Sequence, residues 1–245
     1  MIGDGETASG SVTTVLRVGD TIRRPCGRWT PVVHALLAHL ESAGFTRAPR
    51  ALGIDAEGRE ILSFLPGETA RRPWPPALTE PSGIVALATW LAEYHAAVRD
   101  FRPPAGADWF VPGLTWREGQ IIRHGDLGPW NSVWQGTELA GFIDWDFAEP
   151  GEPIEDLAHL AWYAVPLRGP APGARERLEL LCSVYGAEPV AVLDALAGLQ
   201  RRERERIVRL GTEGIAPWDS FLERGDVRQI DAEAAWLAGN RESLL

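Results

Sequence analysis

The residues best suited to chemistry stand together in one loop, His124-Gly125-Asp126-Leu127-Gly128-Pro129-Trp130-Asn131. Gly128 and Pro129 favour an irregular turn, so Asp126 and Asn131 can point into one cleft. Asp126 can accept the proton of an attacking hydroxyl, and Asn131 offers a neutral oxygen to a hard cation such as magnesium. A second acid follows in Phe142-Ile143-Asp144-Trp145-Asp146-Phe147, where an apolar strand delivers Asp144 at its end. Between the two segments, Ser132–Gln135 and Leu139–Ile143 read as strands joined at Gly136, and such a hairpin folds Asp144 back beside Asn131. The pair can then share a metal, which is what magnesium-assisted phosphoryl transfer to an alcohol needs. A buried structural loop and an ordinary turn acid are the plain alternatives. The order of the two segments, with a hairpin between them, favours the joint site.

These residues need a scaffold. Val12–Val18 and Thr21–Arg24 read as strands around a Gly19-Asp20 turn. A helix follows, with Thr30 as cap, Pro31 in its first turn, Val33, Leu36, Leu37 and Leu40 on one face, and Gly44 at its end. Arg50–Ile54 and Glu60–Leu65 are two further strands, separated by a turn over Asp55–Gly58. The chain then turns helical. Ser82 can cap a helix bearing Ile84, Leu87, Leu91, Tyr94 and Val98 on one side. More helices are expected over Pro153–Val165, Ala174–Tyr185, Val190–Leu210 and Asp231–Ala238, with the piece from Gly119 to Glu149 carrying the chemistry between them. The fold class is therefore α+β, with a strand-rich lobe over 1–67 and a helical lobe over 68–245.

Composition narrows the possible partners. The 245 residues carry a formal charge of −10, which argues against a nucleic-acid partner. The first ten residues lack a basic, apolar signal, and the longest apolar run, Ile84 to Ala92, is too short to span a bilayer. Cys26 and Cys182 lie far apart, without metal-ligand spacing, and read as two reduced thiols. A cytoplasmic protein without membrane attachment is expected. The chain has no lysine, so every phosphate-binding cation must be an arginine.

The loop has the form H-x-D-x-x-x-x-N seen in kinases. Together with FIDWD at 142–146 and Asp156-Leu157-Ala158, it resembles the aminoglycoside phosphotransferase/choline kinase family of small-molecule kinases. The resemblance implies a protein-kinase-like bilobal fold, with ATP or GTP held between the lobes and its terminal phosphate passed to a hydroxyl of a small molecule. It also implies Asp126 as catalytic base, His124 as the residue orienting the loop, and Asn131 and Asp144 as Mg2+ ligands. The connector near 63–68 would offer the backbone of Ser63, Phe64 and Leu65 to the base of the nucleotide. Asp156 would brace the loop, or simply sit well in the first turn of its helix.

The nucleotide end departs from the family pattern. Where a kinase carries a lysine on its third strand, this chain reads Thr21-Ile22-Arg23-Arg24. Arg23 is the first choice for the phosphates and Arg24 the second, because neighbours on a strand face opposite ways. The acid that should brace the cation is not evident, since His34 and Glu41 are what the following helix offers. Gly3, Gly5 and Gly10 form no glycine-rich cover. A non-catalytic pseudokinase is therefore the chief rival. A metal-dependent hydrolase built on Asp144 and Asp146 would need Glu149 or Glu152 beside them. His39, His95 and His159 read as helix residues, and Trp130 and Trp145 as packing around the loop.

Overall fold

A computed structural model describes Gly5, residues 7–9 and residues 14–245, excepting the side chains of Ala8 and Ser9. Gly3, Gly10 and the expected start of the first strand at Val12 lie outside the described residues. Five strands form the first sheet: β1 (Thr7–Ser9), β2 (Thr14–Val18), β3 (Thr21–Pro25), β4 (Ala51–Ile54) and β5 (Arg59–Ser63). Their order is β1-β2-β3-β5-β4, and every pairing is antiparallel. Gly19, at φ 57, supplies the left-handed residue that the tight turn between β2 and β3 requires. Helix α1 (Thr30–Ser42) crosses between β3 and β4 and buries Val32, Val33, Leu36, Leu37 and Leu40.

The rest of the chain is mainly helical. It contains α2 (Pro76–Thr79), α3 (Pro81–Val98), α4 (Pro153–Tyr163), α5 (Ala174–Tyr185), α6 (Pro189–Thr212), α7 (Trp218–Arg224) and α8 (Asp226–Leu244). The apolar spacing of α3 becomes a fully buried face of Ile84, Leu87, Trp90, Leu91, Tyr94 and Val98. Five short strands are set among these helices: β6 (Glu68–Thr69), β7 (Ile121–Arg123), β8 (Ser132–Gln135), β9 (Glu138–Phe142) and β10 (Glu149–Gly151). They pair as β6-β8-β9 and as β10-β7. The fold is the α+β, bilobal arrangement expected, an antiparallel sheet followed by a helical part.

Local differences have local causes. Ser82 does not cap α3, because Pro81 starts the helix one residue earlier and Glu80 takes the extended cap position. Thr30 lies inside α1, and its hydroxyl accepts the amide N–H of Gly27 at 2.9 Å. The last helix starts at Asp226, not Asp231, because Gly225 at φ 87 ends α7 and opens α8. Among the described residues no single helix is long and apolar enough to cross a bilayer.

One buried ion cluster ties the strands to the helices. Glu149 of β10 accepts from Arg123 of β7, and from Arg206 of α6 at 3.0 and 3.1 Å. All three side chains are at most 7% exposed. Removing the acid leaves two buried cations facing each other. Glu149→Leu should therefore cost about 3–5 kcal/mol in urea unfolding; a loss below 1 kcal/mol would mean that the cluster relaxes into water.

Candidate active site

The catalytic loop runs from the end of β7 into β8 through a 3-10 turn over Pro129–Asn131. Its entry depends on one glycine. Gly125 has φ 80, and a side chain there would stand 2.1 Å from the carbonyl oxygen of Phe147. Only glycine lets the loop and the segment after β9 approach so closely. Asp156, fully buried in the first turns of α4, accepts the N–H of His124 at 2.8 Å and of Gly125 at 3.2 Å. It braces the loop as well as favouring its own helix. Burial would raise its pKa, but the bond and charge of His95 and the charge of Arg123 bring it down to about 2.

His124 is wholly buried, 4.4 Å from the ring of Trp145, and lies over Trp90 and Phe142. Desolvation pushes it down to about 4, so it is neutral and acts as part of the floor. Its Nδ1 accepts the N–H of Asp126 at 3.3 Å. Asp126 stands at the wall of the cleft, where its Oδ2 accepts the Asn131 side-chain amide at 2.8 Å. Burial, reinforced by the negative charge of Asp144, raises Asp126 to about 7. A base near neutrality combines availability with proton affinity.

The hairpin does what its sequence promised. Ser132 pairs with Phe142, and the N–H of Ile143 donates to the carbonyl of Asn131 at 2.9 Å. Asn131 and Asp144 therefore flank the same end of the ladder. Asp144 has φ 63, the one described non-glycine residue with positive φ. Aspartate tolerates that region better than most residues, and such backbone strain clusters at functional sites. Asn131 donates through Nδ2, which leaves Oδ1 for a cation, while the Asp144 carboxylate is half exposed.

The two arginines stand in the reverse of the order preferred from sequence. Arg24, 6% exposed, reaches Glu60 Oε1 at 2.5 Å, Asp144 Oδ1 at 3.1 Å and Asp146 Oδ1 at 2.5 Å. Arg23 points the other way, to Thr21 and Asp55. Strand alternation forces this choice, but its direction depends on where Glu60 and Asp146 lie. The missing acidic brace is Glu60 of β5, directly opposite Arg24 across the sheet, and His34 of α1 joins it at 2.8 Å. Helix spacing carries no trace of an acid on a strand, whereas cross-strand pairing of β3 with β5 does. The connector also differs from expectation. The N–H of Ser63 donates to Arg50 and that of Phe64 to Asp20, both at 2.9 Å, so these two amides already serve the sheet. Glu149 is held by arginines and Glu152 stands at the start of α4, so neither supports a hydrolase built on Asp144.

Beyond Asp126 opens a cavity of about 540 Å³, whose walls include Trp130, Asp144, His159, Tyr163 and Trp218. Trp145 is buried beneath the loop, whereas Trp130 is 40% exposed and lines the cavity. His159, read from sequence as a plain helix residue, is part of this wall. Among the described residues its Nδ1 is buried without a partner, and desolvation lowers its pKa to about 3.

Comparison with known proteins converges on one group. A family model described as the phosphotransferase enzyme family matches residues 107–199, which include both motifs. The trifolitoxin immunity protein of Rhizobium leguminosarum bv. trifolii is 36% identical over 202 residues, 80% of this chain and 74% of that protein. The fold is similar to that of a choline/ethanolamine kinase family protein from Mesorhizobium loti, with TM-score 0.61 and 14% identity over 96% of this chain and 92% of the other. It is also similar to the GDP complex of aminoglycoside 2'-phosphotransferase-IIIa, with TM-score 0.63 and 16% identity over 96% and 93%.

The buried histidines set an acid limit. The folded pKa of His159 is depressed, so below pH ~6.5 the unfolded chain binds a proton that the folded chain refuses. Stability should fall as pH drops from 6.5, by about 2 kcal/mol at pH 5 for this one group. His159→Leu should remove that share in urea unfolding measured at pH 7.5 and pH 5. An unchanged difference between the two pH values would show that His159 charges freely in the fold.

Proposed function

Because the chain belongs to the phosphotransferase enzyme family, that of the aminoglycoside phosphotransferases and choline kinases, we propose that it transfers the terminal phosphate of ATP or GTP to a hydroxyl of a small molecule. The observation that carries this reading is the convergence of Asp126, Asn131 and Asp144 at the end of one hairpin, beside a cavity large enough for an acceptor.

Magnesium fits this donor set. Among the described residues no three acids, histidines or cysteines form a metal cage, and magnesium bound with a nucleotide requires only one or two protein oxygens besides phosphate and water. Asn131 Oδ1 and an Asp144 carboxylate oxygen would hold it, and when bound it supplies neutralising charge at the phosphates. Asp126 orients the acceptor hydroxyl and takes its proton as the new O–P bond forms. The bond from the γ-phosphorus to the bridging oxygen breaks, and ADP or GDP leaves. Arg24 supplies the cation at the phosphates. The relative named as an immunity protein supports a protective role, in which phosphorylation disables a harmful compound.

The non-catalytic reading keeps one argument. Nε, Nη1 and Nη2 of Arg24 each already meet a carboxylate, so the side chain reaches phosphate only when Asp144 turns to another partner. Asp126→Asn decides between the readings. It should fold normally and lose at least ~10²-fold in turnover, measured as ADP or GDP release across a panel of alcohols. If the unaltered protein releases neither with any alcohol, the binding reading takes its place.

Arg24 and Arg23 should separate cleanly. Arg24→Lys, which keeps a charge for Glu60 and Asp146, should weaken triphosphate binding by about 1.5–3 kcal/mol as charged hydrogen bonds are lost. Arg23→Ala should change it little. Calorimetric titration of nucleotide with magnesium measures both, and equal effects would remove the phosphate site from β3.

A further inference from the structure

The cavity beyond Asp126 is not the acidic trough its lining residues suggest. Asp126 and Asp144 stand at its catalytic edge; of the other lining acids, Glu203, Asp226 and Glu233, each is neutralised within the protein. Glu203 takes Arg206 on both oxygens, at 3.1 and 3.3 Å. Asp226 takes Arg224 on both, at 2.9 and 2.5 Å. Glu233 accepts Arg168 at 2.8 Å and Gln229 at 3.0 Å on Oε1, and the indole N–H of Trp162 at 2.7 Å on Oε2. Every carboxylate oxygen of the three already has a donor.

The donors are not matched in the same way. Arg168 and Arg224 both line the cavity, and each meets its acid through Nε and Nη2. Among the described residues Nη1 of neither has a partner. Each guanidinium also lies over an aromatic ring, Arg168 4.8 Å from the Tyr163 centroid and Arg224 5.0 Å from that of Phe221, which restricts its position. Away from Asp126 and Asp144 at its catalytic edge, the cavity thus offers a ligand free N–H donors and already-engaged carboxylates. A polyamine, rich in donors, would have to break existing ion pairs to engage Glu203, Asp226 or Glu233. A carboxylate is what two spare guanidinium edges recognise. Trp130, Trp218 and Phe147 supply flat apolar walls, and about 540 Å³ suits a ligand of modest size.

We propose that the acceptor is a hydroxylated carboxylic acid with an apolar or aromatic body, its carboxylate held by Arg168 and Arg224 and its hydroxyl turned to Asp126. The proposal rests on the kinase reading only for which end of the ligand reacts. The carboxylate can belong to a free hydroxy acid or to the C-terminus of a peptide.

Binding measured by calorimetry without nucleotide tests it independently of turnover. The probes are N-benzoyl-L-serine, its amide, 2-(benzylamino)ethanol, an aminoglycoside and a pentapeptide ending in serine. The benzoyl acid or the peptide should bind roughly tenfold or more tightly than the amide and both amines, the gain expected of a charged hydrogen bond. Whichever of the two binds better identifies the source of the carboxylate. Arg224→Gln, at an exposed position, should erase the preference by weakening acid binding far more than amide binding, and Arg168→Lys should reduce it. An amine that binds as well as the acids, or no difference among the probes, overturns the proposal, as does a preference that survives both variants. ADP or GDP release with an amine alcohol would overturn it and leave the kinase reading standing. Acid-selective binding without release would do the reverse.

Discussion

The architecture of the site depends on one buried guanidinium. Arg24 belongs to the sheet, yet two of its three carboxylate partners belong to the segment that follows β9. Burying a cation is unfavourable unless it is paired and hydrogen-bonded, so β3 can pack here only with Glu60 beneath it and Asp144 and Asp146 opposite. The two halves of the molecule are thereby registered through ionic contacts. His34 extends the same network into α1. The helix thus contributes to the site through an imidazole and not through an acid. The three acids outnumber the one arginine, so the cluster remains attractive to a further cation.

Beneath this charged layer lies an uncharged one. Trp90, Phe142 and Trp145 surround His124, and burial keeps the imidazole neutral. A rigid aromatic floor explains how an irregular loop holds one conformation: its backbone is pinned from below by packing and from α4 by Asp156. Gly125 is the point where the two constraints meet, since any side chain would collide with the Phe147 carbonyl.

Much of this was legible in the sequence because it is local. The loop spacing, the hairpin at Gly136 and the helical period of α3 each involve neighbours in the chain, and each led to the element found. What stayed hidden depends on contacts between distant residues. Arg23 and Arg24 are equivalent until Glu60, 36 positions away, fixes which faces inward. The amides of Ser63 and Phe64 looked free because the partners that engage them, Arg50 and Asp20, are distant in the chain. His159 and the arginine-paired acids of the cavity gave no signal, because nothing in helical spacing tells a wall from a core. Short strands such as β7 and β10, only three residues each, are stabilised by pairing alone and leave little periodicity to read.

The exposed thiol of Cys26 gains a use from its position. It stands two residues beyond Arg24, while the other cysteine, Cys182, is buried. Slight burial and the charge of Glu60 raise its pKa, so it reacts sluggishly at neutral pH and is better modified in mildly alkaline solution. A single maleimide dye would therefore attach at the end of β3, next to the strand that carries the arginine. With no lysine in the chain, side-chain amines cannot blur that label. The molecule thus has a natural spectroscopic handle beside its ionic hinge, and its fluorescence can report in real time when Arg24 changes partners.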